Sequence, residues 1–131
     1  IIKPPWGTLT AINLNNGKII WQKPLGEYEE LKKKGFGMTG THNVGGVTST
    51  SGNIAIATGS LDKKIYIYNS LNGEVIWKYK MPFIGSAPPT TYIANNKQYI
   101  VVHATGGMAL KGIYPKLVEF GNALVAFKLK E

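Results

Sequence analysis

Ile67-Tyr68-Asn69-Ser70-Leu71-Asn72-Gly73-Glu74-Val75-Ile76-Trp77 repeats an earlier stretch, Ala11-Ile12-Asn13-Leu14-Asn15-Asn16-Gly17-Lys18-Ile19-Ile20-Trp21. Each copy reads as strand, tight turn, strand. Asn16-Gly17 and Asn72-Gly73 supply the positive φ that a hairpin turn demands. A Trp follows each Gly by four positions, on a β-branched strand. A hairpin alone needs the Asn-Gly and not the Trp. A repeated unit that docks a large aromatic against its neighbour needs both. A partial third copy, Ala123-Leu124-Val125-Ala126-Phe127-Lys128-Leu129, aligns with the first strand of the unit, and no turn, Gly or Trp follows it. The last repeat is therefore expected to lack its outer strand.

Working outward, residues 7–14 and 18–23 read as the first hairpin. A long polar loop runs from Pro24 to His42. Within it Glu27 to Lys34 has the composition of a short helical turn stopped by Gly35. Four strands are expected next: Val44 to Ser49, Ile54 to Thr58, Lys64 to Asn69 and Glu74 to Lys80. The second is an apolar run suited to burial on both faces. The third alternates, with Ile65 and Ile67 on one face and Tyr66 and Tyr68 on the other. Four antiparallel strands in sequence make one propeller blade. The pattern restarts at Pro89-Thr90-Thr91-Tyr92-Ile93 and continues through Gln98 to His103. The expected fold is all-β: partial β-propeller blades built as four-stranded antiparallel meanders. Residues 7–23 form an outer half-blade, 44–80 a complete blade, and 88–129 a three-stranded blade.

Composition narrows the function classes. At 131 residues, 44% hydrophobic, the chain can build one ordinary domain, and 16 Gly with 7 Pro suit many turns. There is no Cys, hence no disulfide framework and no thiol chemistry. No apolar run approaches the roughly 20 residues of a membrane span. The start, Ile1-Ile2-Lys3-Pro4-Pro5, lacks the apolar core of a signal peptide and lacks Met, and it reads as the interior of a longer chain. The net charge of +8 comes from lysine with no arginine. Nucleic-acid readers usually use Arg for bidentate contacts, so the lysines are read as a solvated surface.

These residues resemble a known family. Asn-Gly-Lys-x-x-Trp after a strand, as in Asn16 to Trp21, is similar to the tryptophan-docking motif of quinoprotein dehydrogenases, eight-bladed propellers that carry pyrroloquinoline quinone (PQQ) and usually Ca²⁺. Pro4-Pro5-Trp6-Gly7-Thr8-Leu9, the run from Gly45 to Asn53, and Pro89 to Tyr92 continuing into Asn96 to Val102 resemble the C-terminal part of its membrane-type glucose dehydrogenase branch. The resemblance implies a C-terminal fragment of a periplasmic PQQ-dependent sugar or alcohol dehydrogenase. The family's catalytic Asp, Ca²⁺ ligands and quinone floor lie upstream of the matching part. No catalytic and no metal-binding residue is therefore assigned, and Asp62 matches none of them. The chain alone is expected to bind neither PQQ nor Ca²⁺. The loop from Gly106 to Gly121 departs from the family's short Gly-rich version and carries Met108, Leu110, Ile113, Tyr114, Leu117 and Phe120.

Strand polarity places the long loops, residues 1–7, 24–45, 59–63, 81–88 and 104–121, on one face, and only tight turns on the other. Long loops gathered on one face of a rigid scaffold are where binding usually sits. Within them Thr41 to Gly46 leads into an innermost strand, and in the resembling family this segment passes the quinone. Asn43, Val44 and Gly45 are carried over as cofactor contacts, mainly through backbone groups. For Gly45-Gly46 a purely structural reading, close backbone approach, stands beside that one.

Other candidates divide. His42 and His103 lack neighbouring ligands at metal spacing. His103 reads as a structural histidine and His42 as a candidate polar contact. Glu27, Glu29 and Glu30 read as a solvated face balancing Lys32 to Lys34. Trp6 is expected to plug a blade junction, with stacking on a ligand as the other reading. Trp21 and Trp77 are read as structural, and loss of the buried Trp77 is expected to cost more than loss of Trp21, whose half-blade lacks inner strands. The alternative function is a non-catalytic propeller segment for assembly or protein binding. Open strand edges predict that the isolated chain forms a homo-oligomer or binds the remainder of its propeller.

Overall fold

The computed structural model describes residues 2–129. Ile1, where the first loop was expected to begin, lies outside the described residues, as do Lys130 and Glu131. Among the described residues nine strands and two short helices follow one another. The strands are β1 (Thr8–Ile12), β2 (Ile19–Pro24), β3 (Val47–Thr50), β4 (Ile54–Ala57), β5 (Lys64–Asn69), β6 (Val75–Lys80), β7 (Thr90–Ala94), β8 (Lys97–Ala104) and β9 (Ala123–Lys128). The helices are α1 (Glu29–Lys33) and α2 (Met108–Lys111). Strands pair antiparallel with their sequence neighbours to give three sheets, β1-β2, β3-β4-β5-β6 and β7-β8-β9. The fold is all-β and has the form of a partial propeller.

The alternation along β4 and β5 explains how the sheets stack. Ala55, Ala57, Tyr66 and Tyr68 face the first hairpin and form one core with Leu25, with Leu9 and Met38 packed against it. Ile56 and Ile65 face the other way and form a second core with Met81, Val102 and Ala104, flanked by Phe127. A period of two gives a strand two distinct faces, and here both are covered by sheets. The middle sheet is therefore buried on both sides, whereas each outer sheet is covered on one side only.

The two Asn-Gly turns form as the repeat predicts: Gly17 and Gly73 take φ of +69° and +72°. The two Trp residues meet different surroundings. The Trp21 indole lies against Gly73 of the next repeat, stacks on Tyr68 at 6.4 Å between ring centroids, and donates from Nε1 to the Ser70 carbonyl at 2.9 Å. Trp77 touches Phe127 edge-on and stacks on Tyr79, and it stays 39% exposed. The expectation of a buried Trp77 is corrected. A Trp in this motif is covered by the turn of the following repeat, and no such turn follows β9 among the described residues.

One further expectation is corrected, and one open segment gains a structure. The strand expected from Val44 begins at Val47, because residues 44–46 run alongside Thr58 and Gly59 outside the regular ladder. The loop after Gly106 is folded on a core of its own. Leu110 and Val118 are buried with Leu61 and Ile84, and Tyr28, Val44 and Tyr114 pack against them. Lys111 Nζ ties the loop by donating to the carbonyls of Pro115 and Val118.

Candidate functional site

Thr41 to Gly46 is fixed from both sides. Asn43 bridges to Ser60, and its side chain donates from Nδ2 to the Thr58 carbonyl at 2.9 Å. Asn43 Oδ1 accepts from Gly45 N at 3.1 Å, and Val44 N donates to the Gly59 carbonyl at 3.1 Å. A Cβ on Gly45 would sit 2.3 Å from the Thr58 carbonyl oxygen. That contact excludes any side chain, so neighbouring backbone alone suffices to demand glycine here. The N–H donors of Val44 and Gly45 are thus satisfied within the protein. The segment offers a ligand a rigid wall instead of free donors.

Beside that wall is an open cleft of about 600 Å³. Ile2, Pro5 and Trp6 line it from the N-terminal segment, Tyr28 and Leu31 from the region of α1, and His42 and Tyr114 from the two long loops. The Trp6 ring meets Tyr28 edge-on at 5.8 Å, and its Nε1 donates to the Ile2 carbonyl. His42 Nδ1 and the Tyr114 hydroxyl are 2.5 Å apart. Burial first, then a hydrogen bond with Tyr114, pushes the Tyr28 hydroxyl up to about 12. Trp6 is 40% exposed and lines this cleft, which corrects its expected role as a plug. His103 is exposed on β8 and takes no part.

A second cluster escaped the sequence reading. Glu27 is 2% exposed, so its expected place on a solvated face is corrected. Its carboxylate accepts from Lys64 Nζ, from Lys32 Nζ at 3.2 Å and from Lys78 Nζ at 3.3 Å. Burial alone would raise this carboxyl. The hydrogen bonds from Lys64 and Lys32 and the charges of Lys64 and Lys78 outweigh burial and hold it at about 2. Lys64 is itself pulled two ways: desolvation lowers it, while Glu27, Glu29 and Asp62 raise it above the ordinary lysine value. Asp62 accepts from Ser60 Oγ at 2.6 Å, from the Tyr66 hydroxyl and from the backbone N–H of Glu27 at 3.1 Å. The cluster joins the end of the first hairpin to the loop end of the four-stranded sheet. Both buried carboxylates are filled by donors of the chain itself. The sequence signal was slight: an Asp two positions after a Ser in a tight turn.

The comparisons with known proteins bear on this geometry. Residues 1–100 match the family described as PQQ: glucose/ethanol/alcohol dehydrogenase, beta-propeller domain. The chain is 36% identical over 138 residues to a quinoprotein glucose dehydrogenase of Gluconobacter oxydans, and 33% identical over 136 residues to a quinate/shikimate dehydrogenase (quinone) of Acinetobacter baylyi. Both matches cover 98% of this chain and 16% of the relative, so the chain spans about a sixth of their length. A solved quinohemoprotein alcohol dehydrogenase of Pseudomonas putida superposes with a TM-score of 0.58 at 25% identity, over 74% of this chain and 12% of that one. Sheets stacked as propeller blades, a family match over most of the chain and relatives aligned along nearly all of it agree: this chain belongs to the β-propeller family of PQQ-dependent glucose and alcohol dehydrogenases.

Proposed function

We propose that the chain supplies propeller blades and part of the cofactor-pocket wall to a periplasmic quinoprotein dehydrogenase that oxidises a sugar or an alcohol. PQQ, when bound, supplies the redox chemistry. The contribution of this chain is to bound the pocket and exclude water. Asn43, Val44 and Gly45 are the proposed wall. The observation that carries this is the rigidity of the segment, on the face that gathers the long loops: the Asn43 amide donates to Thr58, Val44 N to Gly59 and Gly45 N to the Asn43 side chain. Those residues fit a wall and do not fit an anchor, since their donors are spent. Ca²⁺ finds no fitting donors here, because the oxygens of Glu27 and Asp62 already accept from lysine, serine, tyrosine and backbone groups. Trp21 and Trp77 belong to a tryptophan-docking motif, a reading supported by the seat of Trp21 on Gly73. The test is titration of the complete propeller with PQQ and Ca²⁺, followed by dye reduction with glucose. Cofactor binding with turnover is expected, and a complete chain that takes up no quinone overturns the reading.

A second reading, a propeller segment acting as an assembly scaffold, is favoured by a separate observation. Ile19 and Ile20 on the first sheet and Tyr92, Ile93 and Leu124 on the third are exposed. β1 and β9 also each leave one edge unpaired among the described residues. Apolar faces and open edges are covered by more propeller or by further copies of the chain. Light scattering on the isolated chain is expected to give a mass well above 14.3 kDa. A monomer with protected amides in residues 8–24 overturns this.

A further inference from the structure

We infer that Asn16-Gly17 is a self-modification site: the Asn16 side chain is converted to aspartate and isoaspartate by attack of the Gly17 nitrogen, and packing of a preceding repeat on the turn shuts the reaction off.

The chemistry needs only the chain and water. The Gly17 backbone nitrogen gives up its proton to solvent and attacks the Asn16 side-chain carbonyl carbon. An N–C bond forms, the bond to Nδ2 breaks, and Nδ2 leaves as ammonia with a proton from solvent. The five-membered imide then takes up one water. Opening at one carbonyl gives aspartate. Opening at the other gives isoaspartate, whose main chain runs through Cβ and is one atom longer. No electron is transferred and no cofactor takes part. Glycine hinders the attack least, because no Cβ stands beside the nucleophile.

The chain contains this pair twice, and the fold treats the copies differently. In both turns the Gly nitrogen donates to a backbone carbonyl at 2.8 Å, Gly17 to Asn13 and Gly73 to Asn69. Either turn must open before its nitrogen can attack, and the cost of opening sets the rate. Gly17 is exposed, and nothing lies within 4 Å of the place a Cβ would take. The Asn16 side chain is held through Oδ1 alone, by the Lys18 N–H at 3.0 Å. Gly73 is instead buried beneath the Trp21 indole, 2.7 Å from the place of its Cβ. The Asn72 side chain is held at both ends: Oδ1 accepts from the Glu74 N–H and Nδ2 donates to the Glu74 carboxylate, each at 2.9 Å. Opening this turn lifts Trp21 and breaks its hydrogen bond to the Ser70 carbonyl. Charge acts in the same direction. The attacking nitrogen is an anion, favoured by Lys18 after Gly17 and opposed by Glu74 after Gly73.

The dependence on assembly rests on the repeat. In a complete propeller the Trp of a preceding repeat lies on Gly17 as Trp21 lies on Gly73, and the first turn is then as closed as the second. Modification at Asn16 therefore marks chains whose first sheet lacks its neighbour.

The test is peptide mapping by mass spectrometry of the 131-residue chain held at mildly alkaline pH, with deamidation followed at both Asn-Gly pairs. Asn16 is expected to convert about ten-fold faster than Asn72 or more, the difference between a turn that opens freely and one that must lift a packed ring. In concentrated urea the two pairs are expected to convert at similar rates. Trp21→Ala is expected to raise the Asn72 rate toward that of Asn16. Glu74→Ala frees the Asn72 amide without touching the indole and is expected to raise it less. Glu74 is exposed, so this second variant keeps the fold if Trp21→Ala does not. No conversion at Asn16, Asn72 converting as fast in the folded chain, the same disparity persisting in urea, or an Asn72 rate unchanged in both variants overturns the site. In the complete propeller Asn16 is expected to be as slow as Asn72, and fast conversion there overturns the dependence on assembly.

Discussion

The two junctions between sheets are built differently. The first, between the β1-β2 hairpin and the four-stranded sheet, is clamped at both ends. Trp21 sits on Gly73 and hydrogen-bonds Ser70 at the tight-turn end, and Glu27 gathers Lys64, Lys32 and Lys78 at the loop end. Between the clamps lie small Ala side chains and two tyrosines, and the Tyr68 hydroxyl donates to the Pro24 carbonyl. The second junction is a conventional apolar core of Ile56, Ile65, Met81, Val102 and Phe127. Polar contacts are directional and fix an angle, while apolar burial is not directional and mainly fixes proximity. A two-stranded hairpin buries little surface by itself. Two directional clamps compensate for that where the broad second junction has no need of them.

The sharpest way to break this contrast is at the ionic clamp. Glu27→Ala leaves Lys64, which is 8% exposed, with the exposed Glu29 at 2.9 Å and the more distant Asp62 but without its buried partner. Breaking a buried pair on one side costs about 3–5 kcal/mol. Amide exchange should rise selectively in residues 8–24 while β8 and β9 keep their protection. Uniform loss of protection would mean that the junctions are not separable. The same clamp sets a pH window. The Glu27 carboxyl is held at about 2 in the folded chain against an ordinary 4.5, so its stabilisation is complete above about 4.5 and is lost as pH falls toward 2. Urea midpoints of the parent should therefore fall across that interval, and Glu27→Gln should flatten the slope. An equal acid slope in both proteins would assign it to other groups.

Next in size is the pair of tryptophans. Trp21→Ala removes a stacked ring and a hydrogen bond and should cost about 3 kcal/mol, the low end for a large aromatic. Trp77→Ala removes a ring that is 39% exposed and should cost about 1 kcal/mol. Chemical denaturation of both variants decides the order, and a larger loss at Trp77 would refute the seat of Trp21 as a clamp.

The smallest effects compare the two turn glycines. Both have positive φ, so Ala at either position pays roughly 1 kcal/mol of left-handed strain. At Gly17 nothing lies within 4 Å of the added Cβ, whereas at Gly73 the Trp21 ring lies 2.7 Å away. Gly73→Ala should therefore cost about 1–2 kcal/mol more than Gly17→Ala. In a Trp21→Ala background that excess should shrink to what the flexible Lys23 side chain, 2.8 Å from the added Cβ, still imposes, which makes the double-mutant cycle a measure of the docking.

The sequence by itself determined whatever depends on near neighbours. The Asn-Gly turns, the two-faced alternation of β5, the doubly buried run of β4 and the short helix stopped at Gly35 follow from φ preferences and from the period of a strand or helix. The apolar content of the loop after Gly106 was legible too, but not the core that Leu110 and Val118 form with Leu61 and Ile84. Only the tertiary structure decided the fate of Glu27. Its neighbours Glu29, Glu30 and Lys32 to Lys34 look like a solvated face, and the lysines that bury it come from the start of β5 and from β6. Tertiary structure also decided which Trp is covered, because identical motifs differ only in whether a following turn packs over them. The cleft belongs to the same class. Trp6, the pair Tyr28 and His42, and Tyr114 stand in three separate loop segments, and no local pattern relates them until the sheets stack and bring their loops to one face.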